Sequence, residues 1–330
     1  MDDFVKYPDV KEILVKGSKK TSVILRDGIQ VDVRVVKPES FGAALQYFTG
    51  SKEHNIQIRN IAVKMGLKIN EYGVFKKETE EYIAGRTEEE VYKTIGLDYI
   101  EPELRENRGE IELAQQGKLP KIVRYEEVKG DFHIHSTWSD GTASIEEIAR
   151  KAQEMGYEFV GIADHSASLK VAYGLSEEKV LKKIQEIRKL QERFDVRIFA
   201  GTECDIKPDG SLDYSNKILK ELDFAYAAIH SRFKMDEKEM TERIVKAMEN
   251  EYINILAHPT ARMIGKRDPI NVDLERIFEV ARETNTFMEI NAFPDRLDLN
   301  DVHAKMAKER GVKLAIGTDS HSLDHMRFLK

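Results

Sequence analysis

From residue 130 onward the chain repeats one pattern, a short apolar run followed by an amphipathic stretch. The runs are DFHIH, FVGIADH, VRIFAGTE, FAYAAIH, INILAHP, TFMEINAF and KLAIGTDSH. Most lead into helix-like sequence, such as SIEEIARKAQEMGY or SEEKVLKKIQEIRKLQERF. Several runs are nearly continuous in apolar residues, as strands buried on both faces should be. Strand-like runs alternating with helices predict a parallel α/β sheet, and a small barrel closes such a sheet without edges. Ser144, followed three residues later by Glu147, reads as a capping box that starts the first helix.

The first part of the chain has a different texture. KTSVIL and IQVDVRVV alternate apolar and polar residues around the turn Arg26-Asp27-Gly28, which predicts strands. Residues 39–68 read as helical, interrupted at YFTGS. Residues 78–129 are rich in Glu and Lys, with Pro102, Gly109, Gly117 and Pro120 as breaks. The pattern divides the chain into a small α+β module over 1–108, a linker over 109–129 and an α/β domain over 130–330.

Composition adds bounds. At 330 residues, 41% hydrophobic and 34% charged, the chain fits an ordinary globular protein. No apolar run approaches the ~18 residues of a membrane span, so no membrane partner is expected. Cys204 is the sole cysteine, which excludes an internal disulfide and suggests a reducing, cytoplasmic setting. The net charge of −7 does not mark a nucleic-acid binder, but it is unevenly spread. Residues 1–77 hold 14 Lys and Arg against 9 Asp and Glu, a net of +5 that leaves −12 on the rest. A basic first segment on an acidic protein points to a local anionic partner.

The polar residues of the α/β domain recur in one place. His133 and His135 end the first apolar run, His165 the second, Glu203 the third, His230 the fourth and His258 the fifth. Asp319 and His321 end the seventh, and Asp140 lies in the loop after the first. In α/β barrels the loops leaving the C-terminal strand ends form the active face. Residues i and i+2 on a strand point the same way, so His133 and His135 offer two imidazoles to one ion. Asp319 and His321 repeat that spacing. Imidazole and carboxylate together suit zinc, iron or manganese. Nine ligands exceed what one ion takes and suit two or three ions sharing a bridging carboxylate. Such a centre suits hydrolysis, because divalent ions acidify water and clamp the oxygens of a phosphoryl group. His54, His303 and His325 read as ordinary surface or helix histidines, and Cys204 as packing.

The motifs FHIHSTWSDG, IADHS, GTE, AIHS, AHPT and GTDSHS resemble those of the PHP (polymerase and histidinol phosphatase) domain, over nearly all of 130–330. The resemblance implies a distorted seven-stranded (β/α)7 barrel holding three divalent ions, Mn²⁺ or Zn²⁺ with Fe²⁺ a further option. It assigns His133, His135, Glu203 and Asp319 to the first ion. Glu203 is shared with the second, which adds His230 and His258; Asp140, His165 and His321 take the third. Arg262 matches a family arginine and becomes the catalytic candidate for the scissile phosphate, with Lys266 beside it.

Residues 5–108 resemble the C-terminal palm and thumb of family X DNA polymerases. The resemblance rests on IQVDVRVV, FGAALQYFTGSKEHNIQIRNIAVKMGLKINEYGVF and GRTEEEVYKTIGLDYIEPELRE. It makes Asp32 a third catalytic carboxylate. It places Tyr47, Phe48 and Gly50 on the sugar side of a nucleotide pocket, Asn55 at the base pair and Arg59 at the template. Lys52, Lys64 and Lys68 become contacts to a DNA backbone. The family's Gly-Ser turn and paired Asp-x-Asp precede the point where this chain begins. Gly17-Ser18-Lys19-Lys20 imitates the turn, but no Asp-x-Asp follows it, and Asp32 is followed at i+2 by Arg34. The chain also stops at HMRFLK, where the family continues. It therefore reads as the C-terminal part of a bacterial- or archaeal-type family X polymerase.

The implied function is a metal-dependent 3′-5′ exonuclease acting on DNA 3′ ends, with 3′-phosphatase action as an extension. Its expected partner is DNA with gapped or 3′-recessed ends, and the chain is expected to be a monomer. DNA synthesis, with Mg²⁺, is expected only in a longer parent. The alternatives are a small-molecule phosphatase of the histidinol-phosphate type and a structural PHP domain that supports a polymerase.

Overall fold

Strand β1 (Val10–Lys16) pairs antiparallel with β2 (Lys20–Leu25), and β2 with β3 (Gln30–Arg34), in the computed structural model, which describes residues 1–329. The predicted turn joins β2 to β3, with Gly28 at φ 91°, a conformation glycine adopts without steric cost. Helices α1 (Phe41–Thr49) and α2 (Lys52–Lys64) follow, broken at Gly50 and Ser51. The Ser51 hydroxyl caps α2 by accepting from the His54 amide. Then β4 (Leu67–Asn70), β5 (Gly73–Lys76) and β6 (Tyr82–Ala84) form a second antiparallel sheet. At three or four residues each, these strands are too short to carry a readable period.

Helices α3 (Glu88–Thr94) and α4 (Glu110–Gln115) complete this unit, which spans Met1–Ile122. Ile111 and Ala114 of α4 bury beside Ile58, Ala62, Val74, Val91 and Tyr92. The first core thus extends past residue 108, into the segment expected to be a linker. His54, expected at the surface, is fully buried in this unit. Its Nδ1 lies 2.7 Å from Glu110 and its Nε2 2.8 Å from the Tyr92 hydroxyl, so the histidine ties α2 to α3 and α4.

The second unit, Val123–Lys330, is the expected barrel. Its strands are β7 (Gly130–Ile134), β8 (Phe159–Ile162), β9 (Arg197–Asp205), β10 (Phe224–Ala228), β11 (Ile255–Leu256), β12 (Phe287–Asn291) and β13 (Leu314–Gly317). They run parallel in sequential order, with the outer helices α5 (Ile145–Glu154), α6 (Glu177–Gln191), α7 (Asn216–Leu219), α8 (Glu237–Met248), α9 (Leu274–Thr284) and α10 (Asp301–Glu309). Closure comes from the first and last strands. The His135 amide donates to Ser320 O at 2.8 Å, and the Ser320 amide to His133 O at 3.1 Å.

The capping box forms as predicted: the Ser144 hydroxyl accepts from the Glu147 amide, and the Glu147 carboxylate from the Ser144 amide. Ile145, Ile148 and Ala152 of α5 then pack with Val160, Ile162 and Ile198. Phe132, Phe159, Phe199 and Phe224 form an aromatic cluster with ring centroids 4.6–6.1 Å apart. It needs two glycines. A Cβ at Gly161 or Gly201 would sit 2.6 or 2.1 Å from the Phe224 ring, closer than any real contact. Among the described residues no helix is long and apolar enough to cross a membrane.

Candidate metal centre

The C-terminal strand ends carry the chemistry, as the pattern of apolar runs predicts. Glu203, near the end of β9, sits at the centre. Its Oε1 lies 2.8 Å from His258 Nε2 and 3.2 Å from His230 Nε2. Its Oε2 lies 3.1 Å from His165 Nδ1, 3.4 Å from His133 Nε2 and 3.6 Å from His135 Nε2. Asp319 Oδ1 stands 3.2 Å from His135 Nε2 and 3.7 Å from His133 Nε2. Asp140, in the loop after β7, reaches His321 at 3.4 Å and His165 at 3.7 Å.

Three groups have ligand atoms close enough to hold an ion. They are His133, His135, Glu203 and Asp319; His165, Glu203 and His230; and His135, Asp140, His165 and His321. His258 joins through its contact with Glu203. All nine residues singled out by the sequence therefore lie together. The sharing is denser than spacing alone suggests, since His135 and His165 each belong to two groups.

Buried polar atoms in proteins are nearly always hydrogen-bonded. Here His133 Nε2, both ring nitrogens of His135, His165 Nδ1, His258 Nδ1, Glu203 Oε2 and Asp140 Oδ1 are buried with no hydrogen-bond partner. Imidazole nitrogens and carboxylate oxygens left over at one spot are the donor set of a divalent transition metal. The residues fit a multi-metal centre. Without ions the groups perturb one another strongly. Burial opposes the charge on His133, yet the carboxylates of Glu289, Asp319 and Glu203 hold its pKa well above the histidine range. Burial likewise opposes the charge on Glu203, but His230, His165 and His133 hold its pKa well below the carboxylate range.

Behind the ligands stand carboxylates that the sequence reading missed. Asp205 accepts from His230 Nδ1 at 2.6 Å, and Glu289 from His133 Nδ1 at 2.6 Å. A carboxylate on the far ring nitrogen fixes the tautomer and aims the other nitrogen at the ion. Both had a signal. Asp205 lies two residues after Glu203 in one strand, and Glu289 is a lone acid inside the apolar run TFMEINAF. Asp164 holds the loop after His135, accepting from the Ser136 amide at 2.7 Å and from the Ser139 hydroxyl at 2.7 Å. Its counter-charge is Lys183 of α6, fully buried, with Nζ at 3.2 Å. Lys183→Met removes the cation that faces this buried carboxylate. It should destabilise the domain by about 3–5 kcal/mol in denaturant unfolding; a change under about 1 kcal/mol would count against that pairing.

Arg262, the expected catalytic residue, spends its guanidinium on backbone carbonyls, donating from Nε to Arg296 O at 2.8 Å and from Nη2 to Leu297 O. It braces the loop after β12. The arginine at the cluster is Arg296, carried by that loop, with Nε 3.0 Å from Asp319 Oδ2 and its Nη1 buried without a partner. Lys266, expected at the phosphate, is paired with Asp295 at 2.6 Å. His325 is not remote from the site, because its Nδ1 accepts from the His321 amide at 3.3 Å.

In the first unit Tyr47, Phe48, Gly50, Asn55 and Arg59, candidates for the nucleotide pocket, line one cavity of about 300 Å³ together with Lys52, a candidate backbone contact. The Asn55 amide is engaged inside the protein, accepting from Gln46 at 2.6 Å and donating to Tyr47 O at 2.8 Å. Asp32 accepts from Gln30, neighbours Ser22 and faces Lys20 at 3.0 Å, contacts that lower its pKa to about 2. Lys68 pairs with Glu80, while Lys64 lies exposed near the end of α2.

Comparison with known proteins agrees with this geometry. The model of the PHP domain matches residues 131–293, and that of the DNA polymerase beta thumb matches residues 44–106. Over 332 residues the chain is 42% identical to the DNA polymerase/3′-5′ exonuclease PolX of Bacillus subtilis. That match covers all of this chain but 58% of the relative, so the chain spans less than two thirds of that protein's length. A probable phosphatase of Thermoanaerobacter sp. is 34% identical over 212 residues, 60% of this chain and 81% of that one. A putative histidinol phosphatase from Listeria monocytogenes shares the barrel fold, with a TM-score of 0.50 at 14% identity over 60% of this chain and 97% of its own. The chain belongs to the PHP-domain family, with a DNA polymerase beta thumb module ahead of that domain.

Proposed function

We propose that the chain is a metal-dependent phosphodiesterase that removes nucleotides from DNA 3′ ends, the nuclease part of a family X polymerase. The observation that carries this reading is the complete collar of nine candidate ligands, Glu203 at its centre, in a chain that also carries a polymerase thumb. The collar would hold three divalent ions, manganese or zinc, with iron a further option. His133, His135, Glu203 and Asp319 would hold the first, Glu203, His230 and His258 the second, and Asp140, His165 and His321 the third. Bound divalent ions supply acidified water and charge stabilisation to a phosphoryl centre. The protein's own share is orientation and charge. Asp205 and Glu289 hold the imidazoles in one tautomer, and Arg296 offers its free Nη1 to an anionic oxygen beside Asp319. Lys52, Arg59 and Lys64 of the thumb module favour a DNA backbone with a gapped or 3′-recessed end. The buried, unpaired Cys204 suits a reducing cytoplasm. Nucleotide addition needs two further carboxylates that Asp32 alone does not replace.

The test is release of 3′ nucleotides from a 3′-recessed duplex with Mn²⁺ and its loss in His135→Ala. A chain that holds its ions yet releases nothing from any DNA end would sink the proposal. The second reading, a small-molecule phosphatase, is favoured by the 34% identity to a probable phosphatase. Turnover of histidinol phosphate compared with that of the duplex separates the two.

A further inference from the structure

One carboxylate behind the collar touches residues of two different ion sites. Glu289, in β12, is fully buried. Its Oε1 lies 2.6 Å from His133 Nδ1, and its Oε2 accepts the backbone amide of His258 at 2.6 Å, with Asn291 Nδ2 at 3.4 Å. A carboxylate can only accept. A proton therefore sits on His133 Nδ1, and in the neutral ring that a metal ion requires Nε2 is the nitrogen left to ligate, on the side of Glu203 and Asp319. The second grip acts on backbone, and at an unusual place. His258 has φ 26°, a conformation a non-glycine residue keeps only when its surroundings hold it.

Space for this pairing is reserved by its neighbours. A Cβ on Gly317 would lie 2.6 Å from His133 Cβ and 2.8 Å from Glu289 Oε1. On the His133 ring the Tyr226 ring stacks at 4.5 Å. His133 is thus confined by Tyr226, by Gly317 and by the Glu289 carboxylate.

We infer that Glu289 is a positioning residue that couples two of the three ion sites, by orienting His133 of one and His258 of the other through a single side chain. The inference rests on the ligand sets proposed above. The third set, Asp140, His165 and His321, stands outside this coupling: among the described residues the side-chain hydrogen bonds of Glu289 go to His133, His258 and Asn291. Glutamine cannot stand in. Both main partners are N–H donors, and an amide has one accepting oxygen and one donating nitrogen.

The experiment is a titration of the full chain with Mn²⁺ against a competing chelator, for the wild type, Glu289→Gln, Glu289→Ala and Asp140→Asn. The wild type should take up three ions. In both Glu289 variants two of them should weaken by about 10–100-fold, the usual cost of losing an outer partner of a metal ligand, and the third by less than about twofold. Asp140→Asn should show the complement, one weakened ion and two retained. Thermal unfolding of the metal-free variants checks that the barrel still folds, and Glu289→Asp gives a second carboxylate variant should the other two unfold. A loss spread evenly over three ions, or no loss, overturns the coupling and leaves the nuclease reading intact. A wild type that binds no ion overturns both.

Discussion

Glu203→Ala should end phosphoester release and strip metal from the protein at the same time. Among the described residues Glu203 is the only carboxylate that faces five imidazoles, with His258 and His230 on one oxygen and His165, His133 and His135 on the other. The loss should exceed the roughly 100-fold upper end expected for an outer partner, because a shared ligand goes rather than its support. Glu203→Gln is the sharper variant. Its amide keeps one accepting oxygen, so one side of the collar keeps a ligand while the other meets an N–H₂ group. Metal content by mass spectrometry, read beside nucleotide release, should fall part-way in Glu203→Gln and further in Glu203→Ala. Full metal content with an unchanged rate in both variants would remove Glu203 from the centre.

Arg296→Ala should lower kcat/KM by roughly 10²–10³-fold, the range for losing a preorganised donor to a developing anion. The guanidinium has an unusual state in the structure: Nε is anchored on Asp319 while Nη1 is buried and unbonded. A buried donor without a partner costs stability unless a ligand completes it. Arg262→Ala should cost less, about 10-fold, because its effect passes through the loop it braces. The two also differ in kind. Arg296→Lys keeps the charge and loses the fork that reaches Asp319 and substrate together, so it should recover little. Single-turnover cleavage of one DNA substrate by all three variants decides the order. A greater loss in Arg262→Ala than in Arg296→Ala would restore the original assignment.

Much of the centre was legible because a barrel turns strand order into geometry. A polar residue at the end of an apolar run has one place to go, the rim. Eight such residues, with Asp140 in the loop after the first run, announce the rim's chemistry before any contact is known. What stayed hidden depends on side-chain reach. Arg262 and Arg296 both lie in rim loops, and no spacing rule says which guanidinium turns inward and which braces a backbone. Glu289 and Asp205 were overlooked because an acid inside an apolar run competes with nearby ligands for notice. In the first unit β2, β3 and the helix break at Gly50 were readable from alternation and turn residues. The short strands β4 to β6 carry too few residues to show a period. His54 looked exposed because the two partners that bury it, Tyr92 and Glu110, lie 38 and 56 residues further on.

The seam between the first and last strands also bears on how the protein is made. The ribosome delivers His133 and His135 well before Asp319 and His321. Until Ser320 emerges, β7 has no neighbour on its open side, and the ligand group of His133, His135 and Asp319 lacks a member. A nascent or prematurely terminated chain therefore holds most of the collar but cannot close it. Translation order itself acts as a safety catch, arming the centre only once the last barrel strand has emerged.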